Sequence, residues 1–206
     1  MKAVLIVVIA LFVASPALAK EWHFDATVDG KPLGTHDYTL TQDGAVTKLK
    51  SVARYRYKIM GVEVYRYDHE ANETWRGECL EQVTARTDEK GNVTSLSGTT
   101  TPAGLVVEGP KGTMTLPKCA MTYAYWTKRM LDQSHLLNPQ TQEWTLIVVQ
   151  KIGRESIDAH NAKVNADHYR VFAGKETIEV WYGDDGEWLA LRAVTPEGRV
   201  VDYRLR

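Results

Sequence analysis

The sequence predicts a mainly β protein: a long antiparallel meander curled into a barrel or half-barrel, with one short helix packed at or in its mouth. Three observations carry that prediction. Apolar and polar residues alternate with period two along most of the chain. Gly, Asp and Pro interrupt the alternation at short spacing, as hairpin turns require. The 10 Tyr and 6 Trp, with many Val and Thr, are residue types that suit a pleated, half-buried surface.

Taken in order, the chain opens on a leader. Met1-Lys2 carries a positive charge, Ala3 to Ala14 is unbroken apolar sequence, and Ser15-Pro16-Ala17-Leu18-Ala19 supplies a breaker and small residues. That pattern reads as a signal peptide over residues 1–19, cut after Ala19 and too short to be a resident membrane helix. Lys20 follows where a lipoprotein would need Cys. The expected product is one β-rich domain, residues 20–206, in the periplasm and without a membrane anchor.

Trp22, Phe24, Ala26 and Val28 share one face of a first strand. Asp29-Gly30-Lys31-Pro32 turns the chain into His36–Thr41, and Asp43-Gly44 turns it into Val46–Ile59. In that long strand Ala53, Tyr55, Tyr57 and Ile59 are expected to face inward, and Arg54, Arg56 and Lys58 outward. Gly61 separates it from Val62–His69. Thr74–Thr87 reads as one strand, Glu89-Lys90-Gly91-Asn92 as a turn and Val93–Gly98 as the next strand. Leu105–Val107 and Met114–Leu116 flank a hairpin at Gly109-Pro110-Lys111-Gly112. Ala120–Asp132 alone has apolar spacing of three and four residues, and is expected to be the helix. Asn138-Pro139 closes that region. The remaining strands are Glu143–Lys151, turning at Gly153, then His168–Ala173, Thr177–Tyr182, Trp188–Val194 and Val200–Leu205.

Composition and charge exclude several functions. A net charge of -1 does not suit nucleic acid, which needs a basic surface. No Gly-x-Ser-x-Gly elbow or Gly-rich phosphate loop is present. None of the 6 His pairs with another at the spacing of a helical metal motif, so no metal or other cofactor is expected. In an oxidising compartment Cys79 and Cys119 are most simply one disulfide, the alternative being two reactive thiols outside any Cys-x-x-Cys motif.

Two places carry candidate chemistry. Asp68-His69-Glu70, near Trp75 and Arg76, is the densest polar and aromatic cluster. His69 and Glu70 could pair a base with its orienting acid, or could be a solvated strand end. Tyr123-Ala124-Tyr125-Trp126 places three aromatics in four residues, as core packing or as the lip of an apolar site.

Several stretches resemble an uncharacterised family of exported Gram-negative proteins. They are Val28–His36, Tyr67–Glu70, Trp75–Leu80, Tyr123–Trp126, Leu136–Thr141 and Val180–Tyr182 with Trp188–Leu191. The resemblance implies a place in the cell envelope and no activity. Pro139 and Gln142 depart from it, standing where small residues are expected. A looser likeness is to periplasmic proteins of the lipoprotein-carrier type, curved sheets that hold acyl chains. By analogy it implies a carrier.

The expected function is therefore binding of an apolar or amphiphilic, lipid-like ligand in the concavity of the sheet, against Tyr55, Tyr57, Tyr123, Tyr125 and Trp126. The alternatives are an envelope interaction or scaffold protein with a filled interior, and an enzyme built around His69 or the aromatic segment.

Overall fold

Fourteen strands pair into one antiparallel sheet in the computed structural model, which describes residues 18–206. The leader assigned to residues 1–19 falls, as far as residue 17, outside the described residues. The first half is a plain meander: β1 (Leu18–Val28), β2 (Lys31–Asp43), β3 (Val46–Ile59), β4 (Val62–Arg76), β5 (Cys79–Glu89), β6 (Asn92–Thr101), β7 (Gly104–Gly109) and β8 (Gly112–Leu116). The chain then crosses to the opposite edge. There β9 (His135–Leu137) starts a second meander through β10 (Trp144–Ala159), β11 (Ala162–Ala173), β12 (Glu176–Tyr182), β13 (Trp188–Val194) and β14 (Val200–Leu205). β14 pairs with β1, joining the two halves. The edges β8 and β9 do not pair, so the curled sheet is not closed.

The crossing segment is where the sequence misleads. Ala120–Asp132 is not a helix, and only Lys128–Asp132 forms a short 3-10 turn, capped by Thr127. Cys119 enters the segment at φ 57° and is bonded to Cys79. Thr122 then bridges Leu137 in parallel, and the Leu137 N–H donates to Met121 O at 2.8 Å. Tertiary pairing holds Met121 and Thr122 extended, and tight turns follow through Thr127. Its aromatic and β-branched residues are weak helix formers and offer little resistance. Ala120, Met121 and Ala124 are buried, so the segment plugs one end of the sheet's interior.

Strand limits and facings depart from expectation: β2 and β11 begin earlier, at Lys31 and Ala162, and three further places differ. The turn that splits Thr74–Thr87 lies at Gly77-Glu78, so β4 runs on to Arg76. Gly153 is a bulge within β10 and not a turn, with the register slipping between Lys151 and Gly153. A second bulge between Tyr57 and Lys58 rotates the tip of β3. Ile59, expected inside, is therefore 53% exposed.

The interior has two ends. At one, Trp75, Leu80, Met130, Leu136, Tyr182 and Trp188 pack with Phe24 and Val83 into a filled core. Burying each large side chain of this kind stabilises by about 1.5–3 kcal/mol. At the other, a smaller group of Ala26, Leu33, Ala53, Tyr55 and Tyr67 lines the wall without filling the space.

Candidate ligand-binding cavity

Strand register stacks the inward residues of β2, β3, β4 and β5 in levels. Tyr57 and Tyr65 face each other nearest the β3–β4 turn, and Tyr55 and Tyr67 pair at the next level. His36, Ala53 and His69 follow, then Tyr38, Ser51 and Ala71, then Leu49 and Glu73. Eight residues separate Tyr65 from Glu73, which at about 3.3 Å per residue spans roughly 26 Å. Between these levels and the facing β12–β14 lies a cavity of about 590 Å³. That is within the range of about 300–1,000 Å³ typical of small-molecule sites.

The far wall is supplied by Glu176 and Ile178 of β12, Leu191 and Ala193 of β13, and Val201 and Tyr203 of β14. Thr122, Tyr123 and Tyr125 of the crossing segment and Asn138-Pro139-Gln140 complete it. Tyr125 is fixed by stacking on Trp188, with ring centroids 5.2 Å apart, and by its carbonyl, which accepts the Tyr182 hydroxyl at 2.9 Å. The bridge at Thr122 and the tight turns that follow it replace the expected helix and bring Tyr123 and Tyr125 to the cavity.

Polar groups meet at the middle level. His36 Nε2 shares a hydrogen bond with Ser51 Oγ at 2.7 Å. Its Nδ1 lies 3.3 Å from the Tyr203 hydroxyl and 3.4 Å from that of Tyr55, and these two hydroxyls bond each other. Burial pushes His36 down to about 3, aided by nearby His69, and pushes His69 down to about 4. Both imidazoles are neutral at physiological pH. Burial also raises Tyr38, Tyr55, Tyr67 and Tyr125, keeping the phenols protonated.

Glu73 stands at the deep end, 6% exposed. Its register neighbours, Leu49 and Val83, are apolar. Its Oε2 accepts the Trp75 indole N–H at 2.9 Å. Burial raises its carboxyl to about 7, opposed by its contacts with Thr122 and Trp75.

The sequence-predicted residues divide. Tyr55, Tyr57, Tyr123 and Tyr125 line the cavity, and His69 does too. Trp126 does not. It packs edge-on against Trp75 in the filled core, with centroids 5.7 Å apart. The His69–Glu70 pair is broken up by the strand itself, because neighbours on a strand point to opposite faces. His69 is buried with Nδ1 2.8 Å from Thr87 Oγ1, while Glu70 is outside, 3.1 Å from Lys50. A base oriented by Glu70 is therefore excluded. The residues not anticipated are His36, Tyr38, Ser51, Tyr65, Tyr67, Glu73 and Tyr203. All lie in the inward phase of their strands, which was the signal available. Among the described residues no group of three or more His, Cys, Asp or Glu is placed to hold a metal.

Fold and site together define an open, barrel-like antiparallel sheet with a tyrosine-lined interior cavity. A family described as Domain of unknown function (DUF6134) matches residues 24–206, and the chain belongs to that family. No curated protein matches it. Among solved structures it is similar to a beta-barrel-like protein of Domain of Unknown Function DUF1849 from Brucella abortus. The TM-score is 0.64 at 11% identity, over 90% of this chain and 94% of the other. At that identity the likeness is one of fold.

Proposed function

We propose that this is an exported, periplasmic binding protein that holds an apolar or amphiphilic, lipid-like molecule within its curled sheet. One observation carries the reading: the interior, filled at one end, keeps about 590 Å³ of aromatic-walled space at the other. A chain entering it exchanges water for the faces of Tyr55, Tyr67, Tyr123 and Tyr125, gaining about 0.8 kcal/mol per buried methylene before association costs. The Cys79–Cys119 bond is compatible with an oxidising compartment. The likeness to lipoprotein-carrier-type proteins remains an analogy in its favour.

Native mass spectrometry of protein purified from bacteria is the test. Co-purified adducts of lipid mass, released by organic solvent, are expected. A ligand-free spectrum, together with no displacement of a fluorescent acyl probe, overturns the reading.

A second reading, docking of a protein partner, is favoured by a patch on the outer face. Val148 of β10 pairs with Phe172 of β11, and both are exposed beside Leu146. Crosslinking in intact cells through residue 148 would capture such a partner.

A further inference from the structure

Cavities that bury an acid normally supply it with a cation, because an ionised carboxylate in an apolar place is costly unless paired. Glu73 has no such partner among the described residues. It lies between Leu49 and Val83, and its close hydrogen bond comes from the neutral Trp75 indole. The nearby Thr122 hydroxyl, buried and also facing the cavity, leans toward the same carboxyl without reaching full hydrogen-bond geometry, and is as neutral as the indole. The formal charges lining the cavity are lopsided. Glu73, Glu176 and Glu197 face a single cation, Arg199, which lies at the mouth and is bound to Asp29. His36 and His69 are neutral. The walls add π-faces, with Tyr55 and Tyr67 stacked 5.3 Å apart and Tyr65 next in line, 6.5 Å from Tyr67. Aromatic faces attract cations, most strongly where water is excluded.

We propose that the cavity selects an amphiphile with an ammonium end, which pairs with Glu73 at the closed end while its chain lies along the tyrosines. The assignment rests on the ligand-binding reading above and names its ligand class. An anionic head, such as a fatty acid carboxylate, meets no counter-charge at this depth and is rejected by the same carboxyl. A neutral head gains the wall contacts and loses the ion pair. The Thr122 hydroxyl, beside Glu73, is a further polar contact for a primary ammonium.

The experiment is calorimetric titration of the full mature chain, stripped of co-purified adducts, with three probes of one chain length below their micelle concentrations: dodecyltrimethylammonium, dodecanol and dodecanoate. Dodecyltrimethylammonium is expected to bind at least ten-fold more tightly than dodecanol, and dodecanoate more weakly than both. In Glu73→Gln the advantage of the ammonium probe over dodecanol disappears. In the native chain the advantage grows between pH 5 and pH 8, a measurement that needs no variant. Of the acids facing the cavity, Glu73 is raised to about 7 by burial, and Glu176 is raised by burial and by the nearby Glu143 and Glu197. Tyr38 from β2 and Thr122 from the crossing segment stay uncharged beside Glu73. Glu176→Gln, at the mouth, should keep the pH effect and Glu73→Gln should lose it. Equal affinity for ammonium and alcohol, or an advantage that survives Glu73→Gln, overturns the charge assignment and leaves the lipid-like reading standing. No binding by any of the three probes overturns both.

Discussion

Gln142 Oε1 accepts the backbone N–H of Lys111 at 2.7 Å, joining the two edges of the sheet that no strand pairing joins. Lys111 lies in the β7–β8 turn, and Gln142 in the loop between β9 and β10. The Gln142 amide also donates to Gly112 O at 2.6 Å, and Lys111 Nζ reaches Glu143 at 2.9 Å. One side chain, 1% exposed, thus acts as a clasp across the opening. Gln142 stands where the resemblance leads one to expect a small residue, and its amide bridges the open edges of the barrel-like sheet. Gln142→Ala removes these bonds, and a longer one to Val107 O, and leaves backbone groups unpaired. It should destabilise by about 2–3 kcal/mol, read as a lowered urea midpoint.

The Cys79–Cys119 bond ties the crossing segment to the start of β5, across a sequence separation of 40. In the chain-entropy account, closing a loop of that length contributes roughly 3–4 kcal/mol. Thermal melts with and without reductant should differ accordingly. An equal Tm in both would show that the plug stays seated without its tether.

Glu73 predicts a pH dependence of stability whose sign is unusual for an acid. Its folded value is raised to about 7 from 4.5, so below about 4.5 the carboxyl is protonated in both states and costs nothing. As pH rises through 7 the unfolded chain has already ionised, and stability is lost. His36 works the other way, since its folded value of about 3 lies below 6.5 and stability falls as pH drops through that window. Glu73→Gln removes the first effect only. Relative to the native chain it should gain stability at pH 8, by at most on the order of 3 kcal/mol, and gain little at pH 4.5. Urea midpoints at the two pH values check this.

Gly34 of β2 pairs with Tyr55 of β3, beside the bulge of β1 at Ala26 and Thr27. A Cβ there would sit 2.0 Å from Arg54 O, a backbone atom that cannot swing aside, at a φ of 154°. Gly34→Ala should cost about 3 kcal/mol or more and prise β2 from β3. Circular dichroism and the urea midpoint report it. Gly30→Ala, at an open turn with no neighbour within 4 Å, is the milder control.

The sequence by itself determined the strands. Period-two alternation states which side chains share a face, and turn residues state where the chain reverses, so the β-rich meander with Tyr55 and Tyr57 was legible, while Tyr123 and Tyr125 stood out only as a dense aromatic run. The disulfide followed from an even pair of cysteines. Glu73 was also legible in principle. Tyr65, Tyr67, His69, Ala71, Glu73 and Trp75 are one inward phase once β4 is read as a single strand, and an acid among them stands out. What hid it was the boundary, because Gly77-Glu78 turns the chain later than the local pattern suggests. The tertiary structure alone decided the rest. Pairing with Leu137 keeps Met121 and Thr122 extended where local spacing favours a helix. Trp126 goes to Trp75 and not to the cavity for the same reason. Contacts between residues far apart in sequence outweigh a helix propensity worth only tenths of a kcal/mol per residue, and no local pattern records them.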